Sequence, residues 1–251
     1  QTKRYLVQEH VVSVSPSATL LVESLERDQI LSRMDEPSAL LVGDPAFDTD
    51  QYLTFGRLPE ARKEVLSIAK IFTPATVLLD RQATPAAFLA AVGDKQIVHL
   101  GCHAIVNPSD PLLSQILLAN SAQDPGRGVL YSWQLLGRHF KHTRLVVLAA
   151  CGTADGQVSN TEGIESLARP FLAAGAPAVI ASLWDVSDQG TAAFFDRFYH
   201  YLREGLAPVV ALQATQIAFL RDDRDHYRLW GAFELLGGNS SYPISTSKRV
   251  R

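Results

Sequence analysis

Two stretches of this chain end in residues that can do nucleophilic chemistry. Gln96-Ile97-Val98-His99-Leu100-Gly101-Cys102-His103-Ala104 is an apolar run that opens onto an imidazole. Leu145-Val146-Val147-Leu148-Ala149-Ala150-Cys151-Gly152-Thr153 is a second apolar run, and it opens onto a thiol. The thiolate is the attacking species, and an unassisted cysteine ionises only near pH 8.5. An imidazole beside it can take the thiol proton and later return it to a leaving amine. The oxyanion that forms on attack needs backbone donors, and the N–H groups of Cys151 and of Ala104, directly after His103, are candidates. Ala104 and Gly152 are small enough to let a substrate backbone approach. Taken singly, a cysteine at a strand end is more often a small buried hydrophobe, and a lone histidine more often a satisfied structural residue. As a pair, each at the carboxyl end of an apolar run and beside a small residue, His103 and Cys151 read as a dyad.

Other chemistries find less support. Neighbouring residues on a strand point to opposite faces, so Cys102 and His103 do not easily share one metal ion, and Cys102 reads as a packed core residue. Elsewhere than at His99–His103 there is no Cys-x-x-Cys or His-x-x-x-His spacing, and there is no Gly-x-Ser-x-Gly elbow and no Gly-x-Gly-x-x-Gly or Walker phosphate loop. No metal and no obligatory cofactor is expected. His99, inside a strand, reads as structural. His10, His139, His142, His200 and His226 belong to no constellation.

For His103 and Cys151 to meet, their strands must lie side by side and parallel, because in open α/β sheets sites form outside the carboxyl ends of strands. Their separation of 48 residues leaves room for a strand, a loop and a connecting helix. Strand signals fall at Arg4–Val14, Ala39–Val42, Thr76–Leu79, Gln96–Leu100, Gln115–Leu118, Arg144–Ala150, Ala178–Leu183 and Trp230–Leu236. Several are continuous aliphatic runs, as expected for strands covered on both faces. Helical spacing falls at Thr19–Leu31, Pro59–Phe72, Thr84–Val92, Ile164–Ala174, Thr191–Leu202 and Pro208–Leu220. Ser17, Thr84-Pro85 and Ser187 supply start signals. Asn107–Pro111, Ser121–Gly128 and Asp155–Glu162 read as loops, and Gly237–Arg251 as a loose tail. The alternation predicts right-handed crossovers and helices on both faces of the sheet.

Composition limits the partners. The 251 residues carry a net charge of −3 with no basic stripe, which argues against direct nucleic-acid binding. The apolar runs are far shorter than the roughly 20 residues of a membrane span. Two cysteines suit a reducing cytoplasm rather than a disulfide scaffold. The first residues have no signal-peptide pattern, and without an initiator methionine the chain reads as a piece of something longer.

The ordered motifs resemble the CHAT domain of the caspase, separase and gingipain group. The likeness covers nearly the whole chain. It runs through Ser15-Pro16-Ser17, Ala39-Leu40-Leu41-Val42-Gly43-Asp44-Pro45, Leu58-Pro59-Glu60-Ala61-Arg62-Lys63-Glu64 and the His103 motif. It continues with the Cys151 motif, Glu162-Gly163-Ile164, Phe171 to Ala176, Ser182-Leu183-Trp184-Asp185-Val186, Phe198 to Leu202 and Trp230-Gly231-Ala232-Phe233. A caspase-type nucleophile follows its histidine by about 50 residues, and Ala-Cys-Gly matches part of that signature. The resemblance implies a three-layer α/β caspase-like fold with a mostly parallel central sheet. It is expected as one domain over residues 1–251, with a His-bearing half at 1–120 and a Cys-bearing half at 121–251.

It also implies a cysteine endopeptidase acting on protein substrates, controlled by a partner or by an upstream region of tetratricopeptide type. Some related members cut after basic residues, which makes Asp185 a candidate to line the first specificity pocket; its plainer role is a turn or cap before the Ser187 helix. Trp184 is expected as a pocket wall and Trp230 as core. Asp155 and Glu162 flank the Cys151 loop and either shape the pocket or are solvated loop charges. Asp188 reads first as a complement to its own helix dipole. The family usually has glycine where Ala104 stands, so a Cβ is expected near the oxyanion position. Two rivals remain: a non-catalytic CHAT scaffold used for protein interaction, and a flavodoxin-like domain binding a small ligand at the same edge.

Overall fold

The computed structural model describes residues 4–33, 38–107, 109–121, 128–149, 161–223, 226–238 and 243–244. Its centre is a six-stranded sheet built from β1 (Ala39–Pro45), β2 (Ala75–Asp80), β3 (Ile97–Gly101), β7 (Leu145–Leu148), β8 (Ala178–Ser182) and β9 (Phe233–Gly237), in the order β2-β1-β3-β7-β8-β9. The first five are parallel to one another; β9 runs antiparallel on β8. Here β3 and β7 are parallel neighbours, with Leu100 opposite Leu148. A second, antiparallel sheet of three short strands, β4 (Ala104–Ile105), β5 (Gln115–Leu117) and β6 (Val129–Tyr131), starts directly after His103.

Side-chain alternation sorts the sheet into two apolar layers. Leu40, Val42, Val98, Leu100, Val146, Leu148, Val179 and Ala181 face one way. Over them lie α3 (Pro85–Ala91), through Phe88, and α4 (Thr161–Ala173), through Phe171 and Leu172, with Leu20 of α1 (Ala18–Leu31) at the margin. Leu41, Ile97, Leu145, Val147 and Ile180 face the other way. They meet α2 (Pro59–Ile68) through Val65 and Ile68, α5 (Asp188–Arg203) through Phe194, Phe195 and Phe198, and α6 (Pro208–Asp222) through Leu212. Strands buried on both faces have no polar alternation, which is why they read as unbroken aliphatic runs. The expected caps are in place. Ser17 accepts from the Leu20 N–H, Thr84 from Ala87 and Ser187 from Gly190, each at 3.1 Å.

Three expectations are corrected. Arg4–Val14 is no strand: it holds a single 3-10 turn at Leu6–Gln8 and one bridge from Val14 to Leu236. The chain meets β9 at only that residue, and Leu6, Val11 and Val12 stay exposed. Gln115–Leu117 belongs to the small sheet rather than the central one. Trp230–Leu236 divides into a short helix α7 (Tyr227–Trp230) and β9, which begins at Phe233. No described helix is long and apolar enough to cross a membrane.

Candidate functional site

At the carboxyl edge of the sheet, Gly43 of β1 and Gly101 of β3 are partners in register. A Cβ on Gly43 would come within 2.6 Å of a Val65 methyl and 2.9 Å of the Ala61 carbonyl oxygen, and one on Gly101 within 3.0 Å of the Ala61 Cβ. These two positions therefore let α2 settle close onto the strands. That seating carries the segment before α2, residues 55–58, across the sheet edge where β3 gives way to Cys102 and His103.

His103 is held by that segment. Its Nε2 lies 2.7 Å from the Gly56 carbonyl oxygen. A carbonyl can only accept, so Nε2 carries the proton and Nδ1 keeps its lone pair. The ring stands edge-on to Phe47, at 5.3 Å between centroids, and tilted against Phe55 at 4.6 Å. With 9% of its surface exposed, His103 has its pKa lowered by desolvation. The Gly56 hydrogen bond and the charges of Asp188, Asp44 and Asp185 oppose that shift. Cys102 points the other way, into the layer shared with Val98 and Leu100, and burial pushes its thiol up to about 12. Core packing, as expected, is its role.

The 55–58 segment is fastened at several points. Arg57 makes a bidentate pair with Asp44, 2.7 Å to each carboxylate oxygen, and reaches Asp80 at 2.7 Å; Arg62 also pairs with Asp80. The bond to Asp44 raises the Arg57 pKa, and the bond to Arg62 leads the causes that lower that of Asp80. The Leu58 N–H donates to Asp44 at 3.0 Å. Asp188, at the start of α5, accepts from the Glu60 N–H at 2.9 Å and the Ala61 N–H at 3.0 Å, and so caps α2 from a distant part of the chain. This role was not among those read from the sequence for Asp188, a complement to its own helix dipole and a weaker candidate for the pocket.

After His103 the chain enters β4. The Leu117 N–H donates to the His103 carbonyl at 2.8 Å, and Ala104 lies opposite Ile116. That register makes Ala104 and Ile116 a non-hydrogen-bonded pair, so the Ala104 N–H points away from β5. The Ala104 methyl, expected to crowd the oxyanion position, is buried in the same core layer as Cys102.

Among the other expected residues, Asp185 is exposed and near enough for its charge to act on His103. Trp184 turns to α7: its indole N–H donates to the Arg228 carbonyl at 2.7 Å, and its ring meets Tyr227 edge-on. Trp230 is buried, as expected. Cys151 and Asp155 lie outside the described residues. Sequence reasoning missed Gly56, Asp44, Arg57, Phe47 and Phe55. A Gly-Asp-Pro step at the end of an apolar run was the one available signal, since Asp44 adopts φ +44 there. Under the site, His99 sits between Tyr199, Nδ1 to hydroxyl at 3.1 Å, and Glu64, whose Oε1 is 3.0 Å from Nε2 in a close but poorly directed contact. Desolvation raises the Glu64 carboxyl pKa.

Residues 1–238 match the family model of the CHAT domain. Tetratricopeptide repeat protein 28 of Mus musculus is 26% identical over 235 residues; the match takes in 80% of this chain and 10% of that protein. The chain thus spans about a tenth of this curated relative. Among solved structures, the Arg-specific cysteine proteinase gingipain R superposes with a TM-score of 0.58 at 13% identity, over 89% of this chain and 54% of that one. The separase–securin complex of Saccharomyces cerevisiae does so with 0.56 at 13% identity, over 92% of this chain and 14% of that one. At such identities the likeness is one of fold, and the fold is the caspase-like one.

Proposed function

The chain belongs to the CHAT domain family, and from that premise we propose that it is a cysteine endopeptidase in which Cys151 attacks and His103 moves the proton. One observation carries the reading. β3 and β7 are parallel neighbours whose last paired residues are Leu100 and Leu148, and in the sequence His103 and Cys151 each come three positions after that last paired residue. Three residues of chain span at most about 10 Å, which supports the reading that the thiol works at the edge where His103 offers an unprotonated Nδ1.

In the proposed cycle the Cys151 thiol gives its proton to Nδ1 of His103, and the thiolate adds to the substrate carbonyl carbon. The N–H groups of Ala104 and Cys151 receive the oxyanion. The C–N bond breaks as the imidazolium returns its proton to the amine, and water then hydrolyses the thioester with His103 as base. Asp185, exposed near His103, is read as the residue that favours a basic side chain before the cut, with Trp184 and Asp155 shaping the same pocket. We read residues 1–251 as one domain whose halves, 1–120 and 121–251, each give three strands to one sheet. The name and length of the mouse relative support an upstream tetratricopeptide region as regulator, and two cysteines, one of them a buried thiol, support a reducing compartment such as the cytoplasm.

The burial of His103 favours a second reading, a CHAT scaffold that binds without cutting. An electrophilic peptide probe separates the two. Labelling that disappears in Cys151→Ala and His103→Ala but persists in Cys102→Ala is the expected result. A protein that takes no label, with or without an upstream tetratricopeptide region or a partner added, is a scaffold.

A further inference from the structure

We infer that Asp188 is a positioning residue for His103: reaching over from the start of α5, it fixes the segment whose Gly56 carbonyl orients the imidazole. The first N–H groups of any helix lack intrahelical partners. In α2, Pro59 has no N–H, and the preceding Leu58 offers no side-chain acceptor. Asp188 supplies both missing acceptors, Oδ2 to Glu60 and Oδ1 to Ala61. The opposite side of the same segment is held by Asp44, through Arg57 and the Leu58 N–H. Gly56 comes directly before the first of these anchors, Arg57, and three residues before the helix begins.

The arrangement links the two halves of the sheet. Asp188 follows β8 and His103 follows β3, and the link between them runs through backbone: carboxylate to the first turn of α2, back along the chain to Gly56, and from its carbonyl to Nε2. Asp188 also acts through space, because it leads the carboxylates, with Asp44 and Asp185, whose charges favour protonated His103. Phe47 and Phe55 contribute only apolar surface to that ring. The inference deepens the peptidase reading and rests on it for its kinetic consequence, but not for its geometric one.

The test is made on the full chain carrying 15N-labelled histidine. In the native protein the His103 ring shows one tautomer, protonated at Nε2. In Asp188→Ala the ring samples both tautomers and titrates at lower pH. Asp188→Asn, with one acceptor kept and the charge gone, regains the tautomer but not the titration. Cleavage of a peptide substrate falls about tenfold or more in kcat in Asp188→Ala, with KM little changed, as expected when a reacting group is misplaced. Ile68→Ala, at the far end of α2, lowers the melting temperature and leaves the ring signals as they are. The inference is overturned if Asp188→Ala only lowers the melting temperature while tautomer and titration stay native, or if Ile68→Ala reproduces the ring changes. Should Asp188→Ala not fold, Asp188→Asn decides alone, an unchanged titration counting against. Because the ring signals need no turnover, a chain that cuts nothing would end the peptidase reading while leaving this inference to stand or fall on its own.

Discussion

The Gly56 carbonyl accepts from Nε2 of His103 at 2.7 Å, and that one bond decides which ring nitrogen is left basic. A backbone acceptor is a neutral orienter: it selects the tautomer without adding a charge that would pin the imidazole in its protonated form. The two aromatic rings around it add burial, which disfavours the protonated form, while the bond to Gly56 opposes that shift.

His103 should therefore shape the acid limb of stability. Its folded pKa lies below the unfolded one, so the unfolded chain binds the proton first as pH falls. The contribution is present above the unfolded value of about 6.5 and is lost as pH drops through the folded one. Urea denaturation at pH 7.5 and pH 5 should show a smaller loss for His103→Gln than for the native chain. Equal losses would contradict the assignment.

Glu64 works with the opposite sign. Burial raises its folded pKa, so its contribution is present below the unfolded value and is lost as pH rises through the folded one. Glu64→Gln cannot ionise, and its stability relative to the native chain should improve from pH 5 to pH 8. Glu64→Ala, which removes the partner facing His99 altogether, should be less stable than Glu64→Gln, and its deficit against the native chain should likewise narrow from pH 5 to pH 8. A flat difference for Glu64→Gln across this range is the adverse result.

Arg144 and Asp28 are 1% and 2% exposed at the side chain and pair at 2.8 Å, joining α1 to the start of β7. Removing one partner of such a pair leaves a buried charge, so Asp28→Ala should lower unfolding free energy by about 3–5 kcal/mol. Asp28→Leu combined with Arg144→Met should recover much of that, and denaturation of the single and double variants measures the coupling.

Cys102 should be chemically silent in the folded state. With 1% exposure and a thiol pushed up to about 12, it should take no iodoacetamide at pH 8 until the protein is denatured. Intact-mass analysis of Cys151→Ala before and after urea reads this directly, and uptake by the folded variant would refute the burial.

Much of the architecture could be read before the fold was seen. The unbroken aliphatic runs 39–42, 145–148 and 178–181 are what double-faced burial requires, and Ser17, Thr84 and Ser187 mark helix starts by local hydrogen bonds. Strands β4 and β6 went unread because two or three residues carry no period, whereas β5 was read as a strand but not as part of a separate sheet. The 4–14 stretch misled because β propensity needs a partner along its length, and this one meets β9 at a single residue. At the site, His103 was legible from its position after a strand. Gly56 was not, since it acts through a main-chain oxygen that every residue has, and Asp188 was not, since the helix that it caps lies 128 positions away.

Gly43 and Gly101 have one more consequence. At these two positions the sheet offers no side chain to the helix above it, so Ala61 and Val65 of α2 rest directly on strand backbone. One added methyl at residue 43 would lift the first turns of α2 and shift the reactive edge, while every residue with a chemical role kept its identity. The setting of His103 can thus be disturbed from underneath, by a change that leaves the residues around its ring untouched. Two chains that agree around that ring should be compared next at the floor beneath the helix.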